Sequence, residues 1–118
     1  MVAKLAVDAV LIKEIQGKPY VLLIKRKKNP YIGMYALVGG KVEDGESLLA
    51  AVDREVEEEV GLTKVTFTQL HEFVNEAGWR SMAFLGKVEE DLDFSENDEV
   101  AGIRWIAFDE VPQLASNH

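Results

Sequence analysis

The sequence predicts an α/β (α+β) sandwich in which several strands surround one helix, with a second, short helix at the end. Three observations carry this reading. Apolar residues alternate along the N-terminal stretch, an apolar stripe at spacings of three and four runs from Leu49 to Val60, and further strand-length apolar runs are separated by Gly, Pro and Asn turns. With 118 residues and 47% hydrophobic composition, the chain has enough apolar material for one modest core and reads as a single domain, 1–118.

Lys4 to Ile15 is the first expected strand, with Leu5, Val7, Ala9 and Leu11 alternating and Asp8 as a polar interruption. Gln16-Gly17-Lys18-Pro19 is a turn and Tyr20 to Ile24 a second strand, so the two form a hairpin. Lys25-Arg26-Lys27-Lys28 then places four cations in a row, as a solvated strand end or as a site for phosphate oxygens. Asn29-Pro30-Tyr31-Ile32-Gly33 is a loop, Met34 to Val38 a short strand, and Gly39-Gly40 a glycine turn. Tyr31 and Tyr35 either pack or stack on a base or ribose.

Beyond the helix, Val65 to Val74 is a strand with Val65, Phe67, Gln69 and His71 alternating. Asn75-Glu76-Ala77-Gly78 turns the chain, and Trp79 to Val88 returns as another strand. His71 is expected as a satisfied structural histidine and Trp79 as a packing residue. Glu89 to Glu99 is an acidic loop, Ile103 to Ile106 the last strand, and Asp109 the N-cap of a short helix reaching Leu114.

The helix itself begins after Ser47, a good N-cap, and stops at Val60-Gly61. Leu49, Val52, Val56 and Val60 form its core-facing stripe; Glu55, Glu58 and Glu59 fall together in an arc beside that stripe, and Glu57 faces solvent. Glu55–Glu58 and Glu55–Glu59 are like-charge pairs, each destabilising by about 0.2–0.5 kcal/mol. They also sit at the end where the helix dipole disfavours anions, with Arg54 the one cation in the same turns. A divalent cation reverses the sign of this interaction. Three carboxylates plus a carbonyl from the glycine turn make the hard oxygen set that Mg²⁺ or Mn²⁺ prefers, whereas a plain solvated acidic face is the alternative.

The segment around these acids, GGKVEDGESLLAAVDREVEEEVGL, resembles the Nudix box G-x5-E-x7-R-E-U-x-E-E-x-G-U, where U is bulky and aliphatic. Gly40, Glu46, Arg54, Glu55, Val56, Glu58, Glu59, Gly61 and Leu62 match every defined position. The resemblance implies the Nudix fold, a mixed sheet sandwiched between helices, with the box as a catalytic loop–helix–loop. It implies hydrolysis of a nucleoside diphosphate linked to another group, with Mg²⁺ as cofactor and Mn²⁺ as substitute. Glu55, Glu58 and Glu59 would hold the metal with the Gly39 carbonyl, and one acid outside the box, Glu96 or Glu99, would complete its shell or act as base. Arg54 would fix a catalytic glutamate by a salt bridge, and Glu46 would tie the loop to the helix. Arg26, Lys27, Tyr35 and Gly40 are the candidate substrate-binding residues. The family's C-terminal helix is usually longer, so ending at His118 leaves part of the substrate-side wall absent or the chain truncated.

Among substrates, GGKVEDGE is similar to small MutT-like members acting on nucleoside triphosphates, including oxidised ones. KKNPYIGMYALVGG is similar to compact ADP-ribose pyrophosphatases, with Val38 where those carry proline. Dinucleoside polyphosphates are a further class. A non-catalytic, nucleotide-sensing domain on this fold would be expected to have an eroded box, and this one is intact. Isopentenyl diphosphate isomerisation in the family uses a cysteine, and this chain contains none, which also rules out disulfides and thiolate metal sites. The net charge of −8 argues against a nucleic-acid polymer or an anionic membrane as partner. No signal-peptide pattern or membrane-length apolar run is present, so a cytoplasmic location is expected. A homodimer is compatible with the sequence, which does not otherwise address assembly.

Overall fold

Period-two alternation puts Val7, Ala9 and Leu11 on one face of the first strand, and all three are fully buried in the computed structural model, which describes residues 4–28 and 31–110. The elements follow the expected order: β1 (Leu5–Ile15), β2 (Lys18–Arg26), β3 (Tyr35–Ala36), β4 (Val38–Lys41), α1 (Leu48–Val60), β5 (Phe67–Val74), β6 (Arg80–Lys87), β7 (Val100–Ala107) and one 3-10 turn at Phe108–Glu110. The β1–β2 hairpin is tighter than its four-residue turn suggested. Gln16 and Gly17 both take positive φ, the signature of a two-residue turn, and Lys18 and Pro19 already belong to β2.

The strands form one mixed sheet. β6 runs parallel to β1 along Leu5–Ile12 and fills one edge of it. The other edge is shared, because Ile12–Ile15 pair with Lys18–Val21 of β2 while Ala6–Ala9 pair with Val38–Lys41 of β4. β2 is divided likewise, with β7 along one edge and β1 then β3 along the other. β1 and β2 therefore part after the hairpin, and residues 35–41 fill the gap. This corrects one expectation: Gly39-Gly40 is not a turn but extended backbone within β4. β5 ends the sheet as an edge strand, and a bulge between Gln69 and His71 breaks the simple alternation expected there. His71 is exposed, its ring edge-on to Phe73 at 4.8 Å. Trp79 is half-buried with the Lys41 ammonium 5.4 Å from its ring centre.

α1 covers one face of the sheet. Ser47 caps it by accepting from the Ala50 N–H at 3.1 Å, and Gly61 closes it in the left-handed conformation at φ 73°. Its buried face is Ala51, Val52, Glu55, Val56, Glu59 and Val60. Leu49, expected in the stripe, is 49% exposed; the buried arc is rotated so that Glu55 and Glu59 lie within it and Leu49 falls at its margin in the first turn. Burying Val52, Val56 and Val60 contributes about 1.5–3 kcal/mol each, enough to hold the helix against like-charge pairs worth a few tenths. Leu22, Ile24, Val38, Met82, Phe84 and Val100 complete the core beneath α1, while Val21, Leu23 and Ile106 form a smaller cluster. The second helix expected after Asp109 shows only its 3-10 turn, since residues 111–114 and the C-terminus at His118 lie outside the described residues, as do Asn29 and Pro30 of the expected loop. No helix among the described residues is long and apolar enough to cross a membrane.

At Gly61, φ 73° is strained for any residue with a Cβ, and nothing crowds the position. Gly61→Ala should therefore cost about 1–2 kcal/mol in urea unfolding through backbone strain alone; an unchanged midpoint would contradict the cap geometry.

Candidate active site

The acids are brought together by the way β4 lies along α1. At Gly40 a Cβ would meet the Glu55 carboxyl carbon at 2.6 Å, so only glycine lets the strand pass this close to the helix. One residue earlier, the Gly39 N–H donates to Glu59 Oε2 at 3.2 Å. Glu99, just before β7, completes the group. Glu55, Glu59 and Glu99 each offer a carboxylate oxygen, and these oxygens all lie within 4.8 Å of one another.

Arg54 organises the flank. It donates from Nε to Glu46 Oε2 at 2.7 Å and from NH2 to Glu46 Oε1 at 3.0 Å, a bidentate pair. Its NH1 donates to Glu55 Oε1 at 2.8 Å and to Glu58 Oε2 at 3.3 Å, and NH2 also donates to the Lys41 carbonyl at 2.9 Å. Glu46 accepts in addition from the Glu43 N–H at 3.0 Å, closing the loop that enters the helix. One arginine thus spans Glu46, Glu55 and Glu58, and offsets more of the repulsion than its solitary place in the sequence suggests.

The electrostatics divide the acids. The hydrogen bonds from Arg54, then that from the Glu43 N–H, pull Glu46 down to about 2. Burial pushes Glu59, 3% exposed, up to about 9; the hydrogen bond and charge of Glu55 and the charge of Glu99 add to this, and the Gly39 N–H opposes it. Burial also raises Glu55, against the hydrogen bonds it accepts from Glu59 and Arg54. The pair therefore shares a proton. A buried, all-oxygen group that holds a proton for want of positive charge fits a hard divalent cation.

The structure places the sequence candidates unequally. Glu55 and Glu59 converge with Glu99, whereas Glu58 stands at the rim against Arg54. Glu96 is turned away in an ion pair with Lys27. Lys27 also donates to the Asn97 carbonyl at 2.9 Å, so its ammonium is engaged by the acidic loop. Arg26 closes the 26–33 loop through its backbone, accepting from Gly33 N–H at 2.8 Å and donating to the Met34 carbonyl at 3.0 Å. Tyr35 lies beneath the Arg104 guanidinium, 6.0 Å from the ring centre.

Two residues near the group escaped the sequence reading. Asp8, taken as a polar interruption, sits opposite Gly39; it accepts from Ser81 Oγ at 2.6 Å and is pushed up by burial. A charged residue within an apolar alternation was its signal. Asn97 was submerged among the acids of its loop, and its turn-forming residue type was the only cue.

Comparison with known proteins gives a family. The model described as NUDIX domain matches residues 2–118. An ADP-ribose pyrophosphatase of Methanocaldococcus jannaschii is 51% identical over 57 residues, covering 48% of this chain and 31% of that protein. A putative 8-oxo-dGTP diphosphatase of Bacillus subtilis is 31% identical over 97 residues, covering 78% of this chain and 60% of that protein. The chain thus spans less than two thirds of the length of either relative. The NUDIX domain of Shewanella oneidensis NrtR, solved with ADP ribose, superposes with a TM-score of 0.77 at 24% identity, over 96% of this chain and 78% of that one, a likeness of fold.

The raised Glu59 sets a pH dependence. Between about 4.5 and about 9 the unfolded chain has released a proton that the folded, metal-free protein keeps, so stability falls as pH rises through that window. Glu59→Gln is neutral and retains an acceptor for the Gly39 N–H. In chelator at pH 8 its Tm should exceed the parent's by roughly several degrees, with a flatter pH profile; a parent profile that rises with pH would contradict this arrangement.

Proposed function

This chain belongs to the NUDIX domain family, and on that premise we propose that it is a Mg²⁺-dependent pyrophosphohydrolase, with Mn²⁺ as substitute, acting as one domain over 1–118. It cleaves the pyrophosphate linkage of a nucleoside diphosphate joined to a further group, with a (deoxy)nucleoside triphosphate, including oxidised forms, as substrate. The observation that carries this reading is the convergence of Glu55, Glu59 and Glu99 beside the Gly39–Gly40 backbone.

Glu55, Glu59 and Glu99 hold the cation, with Glu58 and the Gly39 carbonyl as the further ligands that the box resemblance implies. When bound there, the cation supplies stabilisation for the negative charge that spreads over the phosphoryl oxygens. The chain's own residues do the positioning. Arg54 holds Glu55 and Glu58 in position by donating to both, and Glu46 keeps Arg54 in place. Glu58 and Glu99 are more exposed than Glu55, so one of them would accept the proton of the attacking water. Gly40, whose missing Cβ admits the Glu55 carboxylate against the strand, sets that acid beside the substrate. Arg26 and Tyr35 belong to the substrate side, and Lys27 contributes there through the loop it holds.

The triphosphate reading is supported by the Bacillus subtilis relative, which aligns with 78% of the chain. A second reading, ADP-ribose as substrate, is favoured by the higher identity of the Methanocaldococcus jannaschii relative over a shorter stretch.

A product-release assay with Mg²⁺ over deoxynucleoside triphosphates, 8-oxo-dGTP, ADP-ribose and a diadenosine polyphosphate discriminates among these. Turnover of the triphosphates should be abolished by chelator and reduced roughly 10²–10³-fold in Glu59→Gln, as the loss of several kcal/mol of charge stabilisation requires. Preference for ADP-ribose would select the second reading, and chelator-resistant turnover would refute the metal role.

A further inference from the structure

Glu99 reaches the acid group from the end of a loop rich in acids, residues 89–99, with Glu89, Glu90, Asp91, Asp93, Glu96, Asp98 and Glu99. Lys13 pairs with Asp91, and Leu92 and Phe94 pack on the core, which anchors the first part of the loop. Glu99 itself has to be held against Glu55 and Glu59. Asn97 makes the required contacts in both directions. Its Nδ2 donates to the Glu59 carbonyl at 3.0 Å, a carbonyl in the last turn of α1 with no partner inside the helix. Its Oδ1 accepts from the Glu99 N–H and the Val100 N–H, both at 2.9 Å. Its backbone N–H donates to the Val100 carbonyl at 3.1 Å. From the other side, the Lys27 N–H donates to the Glu99 carbonyl at 3.0 Å while its ammonium holds Asn97 and Glu96.

We propose that Asn97 is the positioning residue that delivers Glu99 to Glu55 and Glu59, clamping the end of α1 to the start of β7, with Lys27 closing the clamp from just beyond β2. The proposal rests on the reading of the three acids as a cation site. Among side chains of this size, asparagine alone combines the neutral acceptor that gathers two successive N–H groups with a donor for the helix carbonyl. Aspartate lacks the donor, and serine lacks the reach. The bonds that present Glu99 and those that terminate α1 thus pass through one amide group.

Mn²⁺ binding followed by EPR, without substrate, tests this. Asn97→Ala should weaken binding about 10- to 100-fold, the usual consequence of removing a partner that orients a ligand. In a Glu99→Gln background the same substitution should change binding less than about twofold, because the residue it positions is already disabled. Lys27→Met should shift binding in the same direction by less, and its effect should also vanish in that background. Equal losses in both backgrounds would make Asn97 a general stabiliser and overturn the proposal. Amide exchange in metal-free protein gives a second readout. Glu99 and Val100 should exchange faster in Asn97→Ala while the β1–β6 amides keep their protection, and parent-like exchange at both would overturn it. If the parent binds no Mn²⁺, the cation reading fails, and exchange at these two amides decides the clamp by itself.

Discussion

The close passage of β4 over α1 is the constraint on which the rest of the structure depends. A strand normally keeps a side chain's width from the helix it packs on, but here the strand carries no side chain at the point of contact, and a carboxylate occupies the space. The filling of the gap between β1 and β2 by residues 35–41 puts this strand in the sheet, and the valines of α1 draw the helix onto it. Apolar burial thereby forces two acids inward that would otherwise turn to water, and the acids are tolerated because they share a proton and accept N–H groups from Gly39 and Arg54.

Arg54 converts a crowd of like charges into distinct groups. A bidentate pair with Glu46 fixes its plane, and from that plane it reaches Glu55 and Glu58 but not Glu59. Charge is then graded across the site: Arg54 holds Glu46 towards the ionised form, whereas burial pushes both Glu55 and Glu59 towards the neutral form. A lysine could not do this, since its single ammonium cannot address three carboxylates in fixed directions.

Much of this was legible from the residues. Strand alternation in β1 and the Ser47 and Gly61 caps follow from local rules, and the structure bears them out; of the three helix acids expected together, Glu55 and Glu59 converge and Glu58 stands apart. What could not be read was non-local. Gly39-Gly40 resembles a turn until β1 is known to be its partner, and Leu49 belongs to the apolar stripe until the sheet fixes the rotation of the helix. The last two residues of the cation run and the loop acids look like solvated charge because their pairing, Lys27 with Glu96 and Lys28 with Glu99, joins segments far apart in the chain. Glu99 was one of two equivalent loop candidates; only the turn built by Asn97 separates it from Glu96.

The parallel pairing of β1 with β6 carries a kinetic consequence. Asp8 and Ser81, which meet across it, are 73 positions apart, so one edge of the first strand stays vacant until most of the chain exists. The hairpin, β4 and α1 are nearer neighbours and close cheaper loops, so they can assemble first. During vectorial synthesis Glu55 and Glu59 would then wait on a nascent half-sheet, and Glu99 would arrive with β7, the last strand among the described residues. The acid group is consequently late among the described elements, absent until β7 has joined β2.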